Sequence, residues 1–320
     1  MTELCKTTHP LRIFAGSANY PLAEEVAGRL GVQLGNCATT FLPDSETHVS
    51  IDEAVRGDDI FLIQPCGSPV NDHLMELLLY VDAFRRASAN TITAVIPYFP
   101  YARQERMAHG RESISAKVVA LMLETLGVSR VIFMDIHAPA IQGFFNVPVD
   151  PLTALTVLAE QFRDEHFREG AIVAPDEGRV KMAARYAEAL NLPLAFMYKR
   201  RTGFTTAQTM TLVGDLKGKI PIIVDDVISS GSVLTQVPVL LEAGAQPEVH
   251  LAITHGVLAA SAIPLLDQPA IKQLVITNTL PLPPERRHPK LRVVSIAPLL
   301  ATIIRRVHDG LSISEMLRLT

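Results

Sequence analysis

Short apolar runs rich in β-branched residues alternate along this chain with longer stretches in which apolar positions recur every three or four residues. The short runs lie at 11–15, 59–64, 92–96, 130–134, 171–174, 194–197, 220–224, 248–254, 273–277 and 291–295. Several are almost continuously apolar, as in Pro221-Ile222-Ile223-Val224, which suits a strand covered on both faces. Helical periodicity marks 22–30, 71–87, 114–125, 181–189 and 233–243 between them. Strands and helices in alternation predict βαβ units and a parallel sheet.

The alternation occurs twice. Four strands precede the segment Asn146-Val147-Pro148-Val149-Asp150-Pro151, and a second set follows it. Its prolines break the periodicity, so the sequence predicts an α/β protein of two similar domains, 1–149 and 150–320. Each is expected to hold a mainly parallel sheet flanked by helices. A second proline cluster at 280–289, with Arg286-Arg287-His288, reads as a solvated surface loop.

Composition sharpens this picture. Of 320 residues, 48% are apolar and 19% charged, against roughly 25% charged in an average soluble protein. The mean hydropathy is +0.24. A membrane does not explain the excess. The longest stretch without Asp, Glu, Lys or Arg, Val249 to Leu266, barely reaches spanning length. It also holds His250, Thr254, His255, Gly256, Ser261 and Pro264, which are costly in lipid. Abundant Leu, Ile, Val and Phe with a net charge of −4 exclude disorder as the main state. The near-neutral balance gives no reason to expect a nucleic acid or an acidic membrane as partner. Residues 1–10 lack the apolar core of a signal peptide. The three cysteines, Cys5, Cys37 and Cys66, are odd in number and lack CxxC spacing. Reduced thiols and a cytoplasmic protein are expected, without a disulfide or zinc framework.

Five segments at predicted strand ends carry candidate chemistry, and such ends are where parallel sheets bind ligands. The sharpest is Ile222 to Ser232, an apolar strand running into Asp225-Asp226 and then Ser229-Ser230-Gly231-Ser232 before a helix. Backbone N–H groups and hydroxyls there can cradle a phosphate, and the carboxylates can bind ribose hydroxyls or magnesium. Capping alone explains two consecutive acids poorly. Tyr98 to Arg106, ahead of Arg111, combines aromatics with arginines. It reads equally as a nucleotide contact or a solvated loop. His137, in Met134-Asp135-Ile136-His137-Ala138, is either a satisfied loop histidine or a ligand to a metal–phosphate complex. Asp176-Glu177 is either a magnesium-binding pair or the cap of a helix. Lys199-Arg200-Arg201 opens a polar stretch that reads as a mobile loop bringing charge to a phosphoryl group or as a basic hairpin. No GxxxxGK[ST] sequence occurs, which excludes a P-loop ATPase. No GxGxxG follows the first strand, which disfavours a dinucleotide-binding enzyme.

Taken in order, residues 13–19, 70–78, 94–104, 114–117, 134–138, 141–145, 254–258, 297–301 and 312–314 resemble the ribose-phosphate diphosphokinase (phosphoribosyl pyrophosphate synthetase) family over nearly the whole chain. The resemblance implies two domains of phosphoribosyltransferase type I-like fold. It also implies transfer of diphosphate from magnesium–ATP to the 1-hydroxyl of ribose 5-phosphate, with release of AMP. By the same resemblance Asp44, Ser45 and Glu46 read the adenine across a subunit interface, and Arg103 and Gln104 hold ATP. His137 and Asp176 match magnesium–ATP positions. Lys199 and Arg201 match a flexible catalytic loop. Asp225 and Asp226 face the ribose, and Ser229, Ser230, Gly231, Ser232 and Val233 receive the 5-phosphate. A dimer-based homo-oligomer, commonly a hexamer, is implied, with phosphate and ADP as effectors. Arg85, Arg86, Ser88, Ser312 and Ser314 lie in the segments that resemble the regulatory ones.

Two loops depart from the family pattern. Where the family has Phe-Ser-Asp-Gly-Glu, this chain has Leu42-Pro43-Asp44-Ser45-Glu46. Loss of the ring removes base stacking worth roughly 1–3 kcal/mol in other sites, unless Phe41 replaces it. Where the family has Asp-Thr-Ala-Gly-Thr, Ser229 to Val233 lacks the leading acid and the closing hydroxyl. These changes keep two alternatives in view: a non-catalytic regulatory homologue, and a phosphoribosyltransferase acting on a related sugar phosphate.

Overall fold

The computed structural model describes residues 9–201 and 208–314, with the backbone alone at 199–201 and 208–209. The chain divides into two compact units. The first comprises Met1–Thr153, Thr279–Pro281 and Ser295–Thr320, and the second Ala154–Asn278 and Leu282–Val294.

In the first unit, β1 (Leu11–Ala15), β4 (Asp59–Ile63), β5 (Thr91–Ile96), β6 (Arg130–Met134) and β7 (Val149–Leu152) form one sheet in that spatial order. Every pairing in it is parallel. A separate antiparallel ribbon pairs β2 (Cys37–Phe41) with β3 (Thr47–Ile51). The connecting helices are α1 (Tyr20–Leu30), α2 (Val70–Arg86) and α3 (Ser115–Leu126). Local chemistry sets their ends. Asn19 accepts the Leu22 N–H at the start of α1, and Gly31 closes it with φ +70°; Gly127 closes α3 with φ +103°. Such left-handed C-caps favour residues without a Cβ. Strand residues of one parity, among them Phe14, Leu62, Ala94, Ile96 and Phe133, share a core with Leu77, Phe84, Val119 and Leu123 of α2 and α3. Those of the other parity, such as Ile13, Phe61, Ile63 and Val95, are also buried, so both faces of the sheet are covered.

In the second unit, α4 (Leu155–Ala159), α5 (Val180–Leu190) and α6 (Val237–Glu242) accompany a seven-stranded sheet. Its order is β10 (Gln208–Val213), β9 (Leu194–Arg201), β8 (Gly170–Ala174), β11 (Ile220–Ile228), β12 (Val249–Gly256), β13 (Ile271–Thr277) and β14 (Leu291–Val294). Only β10 runs antiparallel to its neighbour. All eight residues of β12 are buried, the burial expected of a central parallel strand. The apolar excess is thus largely spent on two sheets covered on both faces. Among the described residues no helix is long and apolar enough to cross a membrane.

The domain division differs from the sequence-based one at two places. The Pro-rich segment assigned to the boundary forms β7, an edge strand paired with β6, and the units part after Thr153. Proline is tolerated there because an edge strand has one side free of ladder bonds. The last helix, α7 (Ala297–His308), belongs to the first unit although it follows the second in sequence. It packs on α1, Arg305 donates to the Leu30 carbonyl at 3.0 Å, and Ser295 donates to Glu25 at 2.6 Å. The predicted helix at 233–243 is a 3₁₀ turn, Ser232–Gln236, followed by the short α6, where Pro238 lacks the N–H to continue the first turn.

One buried side chain ties the first unit together. Glu76 of α2 is fully buried and has donors instead of a counter-cation. Its carboxylate accepts the Ser17 N–H and hydroxyl, both at 2.7 Å, the Thr39 hydroxyl at 2.5 Å and the Gln64 amide at 2.6 Å. The loop after β1, the ribbon strand β2 and the end of β4 thereby converge on α2. Removing the carboxylate orphans several buried donors, each costing about 1–3 kcal/mol. Glu76→Ala is therefore expected to destabilise the chain by about 3 kcal/mol or more, read as a fall in the urea midpoint. Glu76→Gln, which keeps one acceptor oxygen, should lose less.

Candidate active site

Most of the chemistry-bearing residues lie at or just beyond the carboxyl ends of parallel strands, and each unit carries its own group. In the second unit, Asp225 and Asp226 fall inside β11, which runs four residues past the sequence-based end at 224. Asp226 is buried and Asp225 nearly so. The pleat sends neighbouring side chains to opposite faces, yet one cation reaches both. Arg179 places Nε 3.2 Å from Asp225 Oδ1 and Nη2 3.2 Å from Asp226 Oδ1. The Asp226 N–H also donates to Asp225 Oδ1 at 2.8 Å. Burial, and then the neighbouring Asp226 carboxylate, push the Asp225 carboxyl well above its ordinary range, while Arg179 opposes them.

Arg179 ends the turn that follows β8. Asp176 leads that turn in extended backbone, and its carbonyl accepts the Arg179 N–H at 3.2 Å. Asp176 is half-buried, whereas Glu177 is exposed. The turn is anchored from behind by Gln236, whose buried amide donates to the Pro175 carbonyl at 3.1 Å.

Beyond β11 the chain makes the anion-cradle turn. The carbonyls of Ile228 and Ser229 accept the N–H groups of Leu258 and Ala259, at 3.0 and 2.9 Å, so the turn is fixed through its acceptors. Among the described residues no hydrogen bond takes up the N–H groups of Ser229, Ser230 or Gly231. Gly231 is left-handed, φ +85°, and a Cβ there would lie 3.0 Å from the Ala262 Cα and from Leu265 Cδ1. Ser232 is exposed at the first position of the 3₁₀ turn, but Val233 is buried among apolar side chains. Its side chain therefore serves packing, and only its backbone is available to an anion.

Lys199, Arg200 and Arg201 lie on β9, with backbone registered against Met210, Thr209 and Gln208 of β10. The predicted mobile loop is thus, at its base, an antiparallel hairpin. The side chains of Lys199 and Arg201, and the connection 202–207, lie outside the described residues.

In the first unit, Asp44, Ser45 and Glu46 form the exposed turn of the β2–β3 ribbon. Leu42 donates its N–H to Glu46 at 2.8 Å, Ser45 takes φ +75°, and Asp44 Oδ1 accepts the Glu46 N–H at 3.2 Å. Phe41, 56% exposed, and Leu42, 41% exposed, stand beside it. A solvent-facing ring is therefore available one residue before the position where the family carries its aromatic. The sequence pattern missed this ribbon because Cys37–Phe41 is half polar and lies outside the main sheet. Thr39 fastens it to α2 through Glu76 and a 2.9 Å hydrogen bond to the Tyr80 hydroxyl.

Arg103 and Gln104 lie in the long loop between β5 and α3. Gln104 is structural as well as exposed: its side chain accepts the Ser115 hydroxyl at 2.6 Å and its carbonyl the Ala116 N–H at 3.3 Å, at the start of α3. Arg103 is exposed, and Tyr101, at φ +57°, bonds Asn71 of α2. His137 is half-buried in the loop after β6, two residues beyond Asp135, whose N–H donates to the Leu152 carbonyl at 2.8 Å. Of the residues matched to regulatory segments, Arg85 and Arg86 both pair with Asp82, at 3.3 and 2.5 Å. The Ser312 carbonyl accepts two bonds from Arg306.

Three residues that organise these groups had no role in the sequence pattern. Arg179 is separated from Asp225 by 46 positions, and only sheet order brings them together. Gln236 stands at a buried position of a helical pattern, which was the one available signal. Glu76 occupies an apolar stripe of α2, where a lone acid reads as an exposed position.

Comparison with known proteins bears on the whole chain. Residues 11–127 match the family described as the N-terminal domain of ribose phosphate pyrophosphokinase, and residues 201–318 the phosphoribosyl synthetase-associated domain. The ribose-phosphate pyrophosphokinase of Caldanaerobacter subterraneus is 46% identical over 315 residues, covering 98% of this chain and 99% of that protein. That of Bacillus subtilis is 44% identical over 307 residues, 96% of each. The crystal structure of phosphoribosylpyrophosphate synthetase from Mycobacterium smegmatis superposes with a TM-score of 0.89 at 41% identity, covering 94% of this chain and 99% of that one.

The carboxylate pair sets a pH dependence. Asp225 keeps its proton to higher pH in the folded chain than when unfolded. Over that window the folded state binds more protons, so stability falls as pH rises from the ordinary carboxylate range near about 4. Asp225→Asn removes the titration. Without divalent ions or substrates, the stability of the variant relative to the unaltered chain, followed through the difference in Tm, should grow steadily from about pH 4 upward, by about 1.4 kcal/mol per pH unit. A flat difference across that range would contradict the assignment.

Proposed function

The chain belongs to the ribose-phosphate pyrophosphokinase family, and from that premise we infer that it transfers the diphosphate group of ATP to the 1-hydroxyl of ribose 5-phosphate, forming phosphoribosyl diphosphate and AMP. The observation that carries the reading is the junction at the end of β11. A turn whose backbone N–H groups at Ser229 to Gly231 have no partner among the described residues directly follows a carboxylate pair that Arg179 bridges. An anion and a polyhydroxyl group side by side are what a sugar phosphate presents.

The residues divide the work by their chemistry. The N–H groups of Ser229, Ser230 and Gly231, with the Ser232 hydroxyl, take the 5-phosphate. Asp225 and Asp226 accept hydrogen bonds from the ribose hydroxyls and fix which one faces the nucleotide. On the first unit's residues, Arg103 meets the phosphates of ATP, and Asp44, Ser45 and Glu46 accept from the adenine edge with Phe41 as the ring beside it. Displacement at the β-phosphorus spreads charge over phosphate oxygens, so catalysis is positioning plus neutralisation. Lys199 and Arg201 supply positive charge near the transferred group.

Magnesium is the implied cofactor. The oxygen donors of Asp176 suit a hard cation, and the guanidinium already seated between Asp225 and Asp226 marks a place where positive charge is favoured. The His137 imidazole is a poor direct ligand for magnesium, so it acts on the phosphate side, as a hydrogen-bond donor. The bound ion would neutralise the polyphosphate charge. A dimer-based homo-oligomer, effector control by phosphate and ADP, and a cytoplasmic location complete the proposal.

Two measurements test it. Purified protein with magnesium, ATP and ribose 5-phosphate should release AMP in step with phosphoribosyl diphosphate. Release of ADP, or no turnover across a range of phosphate concentrations, overturns the reading. Gly231→Ala forces a Cβ onto the Ala262 backbone at a left-handed position. It is expected to raise the KM for ribose 5-phosphate at least about tenfold, a loss of about 1.4 kcal/mol, with little change in the KM for ATP.

A further inference from the structure

At the amino end of β12, far from the residues discussed so far, a histidine, a glutamate and a second histidine converge. Glu248 stands immediately before β12 and His250 is its second residue. Spacing of two along extended chain puts both side chains on one face of the sheet. His166, in the 3₁₀ turn Glu165–Glu169, closes over them. His166 Nε2 lies 2.6 Å from Glu248 Oε1, and His250 Nε2 lies 3.2 Å from the same oxygen. One potential ligand atom from each residue falls within 4.8 Å of the other two. The carboxyl end of β12, beside Ile228, is roughly 25 Å away along the strand at about 3.3 Å per residue.

We propose that His166, Glu248 and His250 form a binding site for a divalent transition-metal ion of the zinc class, separate from the magnesium-dependent chemistry. Two imidazoles and one carboxylate are a ligand set that such ions take up with a fourth position left to water. Magnesium, which prefers oxygen and resists losing its own waters, is a poor match.

The surroundings suit a fixed ligand. His250 is 6% exposed. It is also wedged edge-on against the rings of Phe162 and Phe167, at 6.1 and 4.9 Å between centroids. These rings fix its orientation and shield one side of the site. His166, more than half exposed, leaves an entry path from solvent.

The test uses the untagged full-length chain, stripped with chelator and titrated with zinc chloride by calorimetry in the absence of nucleotides. One equivalent of zinc should bind in the micromolar range or tighter, and the Tm should rise with zinc concentration. His166→Ala and Glu248→Gln alter exposed or half-exposed side chains and should fold normally. Each should weaken binding at least tenfold and abolish the zinc-dependent rise in Tm, while leaving magnesium-supported turnover unchanged. Cobalt(II), used as a spectroscopic probe, should give an absorption spectrum of nitrogen and oxygen ligation that both variants lose. Absence of stoichiometric binding at micromolar zinc overturns the proposal. So does binding retained in the double variant, which would assign the ion to the cysteines or to the Asp225–Asp226 pair.

Discussion

Parallel pairing imposes the constraint on which the rest of this molecule depends. Two parallel neighbours cannot be joined by a tight turn, so every connection must leave one edge of the sheet and return to the other. The loops that follow the parallel strands therefore gather at the carboxyl edge, and those that precede them at the opposite edge. In the first unit that edge collects the loops after β1, β4, β5 and β6; in the second it collects those after β8, β11 and β12. Residues as far apart in sequence as Arg179 and Asp226 become neighbours because β8 and β11 pair in register, Val173 beside Ile223.

Gathering polar loops over an apolar sheet creates an electrostatic problem, and the chain solves it in two ways. Glu76 is buried with hydrogen-bond donors and, among the described residues, no cation, which fixes it in place and ties three segments to α2. Asp225 and Asp226 share the guanidinium of Arg179, and burial, then the neighbouring Asp226 carboxylate, raise the proton affinity of Asp225. The first arrangement is complete and structural. The second sits at the carboxyl end of β11, next to the Ser229–Gly231 turn. The unpaired N–H groups of Ser229 to Gly231 extend the same principle to backbone, where turn geometry aims acceptors inward and leaves donors to an anion.

The cluster at the amino edge of β12 follows a different logic. His166, Glu248 and His250 share one carboxylate oxygen between two imidazoles, beside aromatic rings. The same strand thus begins in a nitrogen-rich group and ends beside the oxygen-rich one at β11. The two ends of the strand thus offer different ligand chemistry to a cation.

Local pattern specified ten of the described strands, most helices and the family, and left β2, β3, β7 and β10 unseen. Continuous apolar runs of four to eight residues between turn residues leave little alternative to buried parallel strands, and the acids, the Ser-Gly turn and the basic triplet are local patterns at their ends. It misplaced the boundary between the units because Pro148 and Pro151 read as a break, whereas an edge strand tolerates them. It gave no hint that α7 belongs with the first unit, since nothing local in an amphipathic helix specifies which sheet it covers. The β2–β3 ribbon was invisible for the same reason: its half-polar strands are placed by packing of Cys37, Val49 and Ile51 on the core and by the bonds of Thr39 to Glu76 and Tyr80 of α2. Tertiary structure alone decided the pairings. Whether Arg179 is a surface charge or the clamp on Asp225 and Asp226, and whether His166 is a solvated side chain or one of three converging ligands, depends on strand order. Strand order is set by long-range packing, which a single residue's neighbours in sequence do not encode.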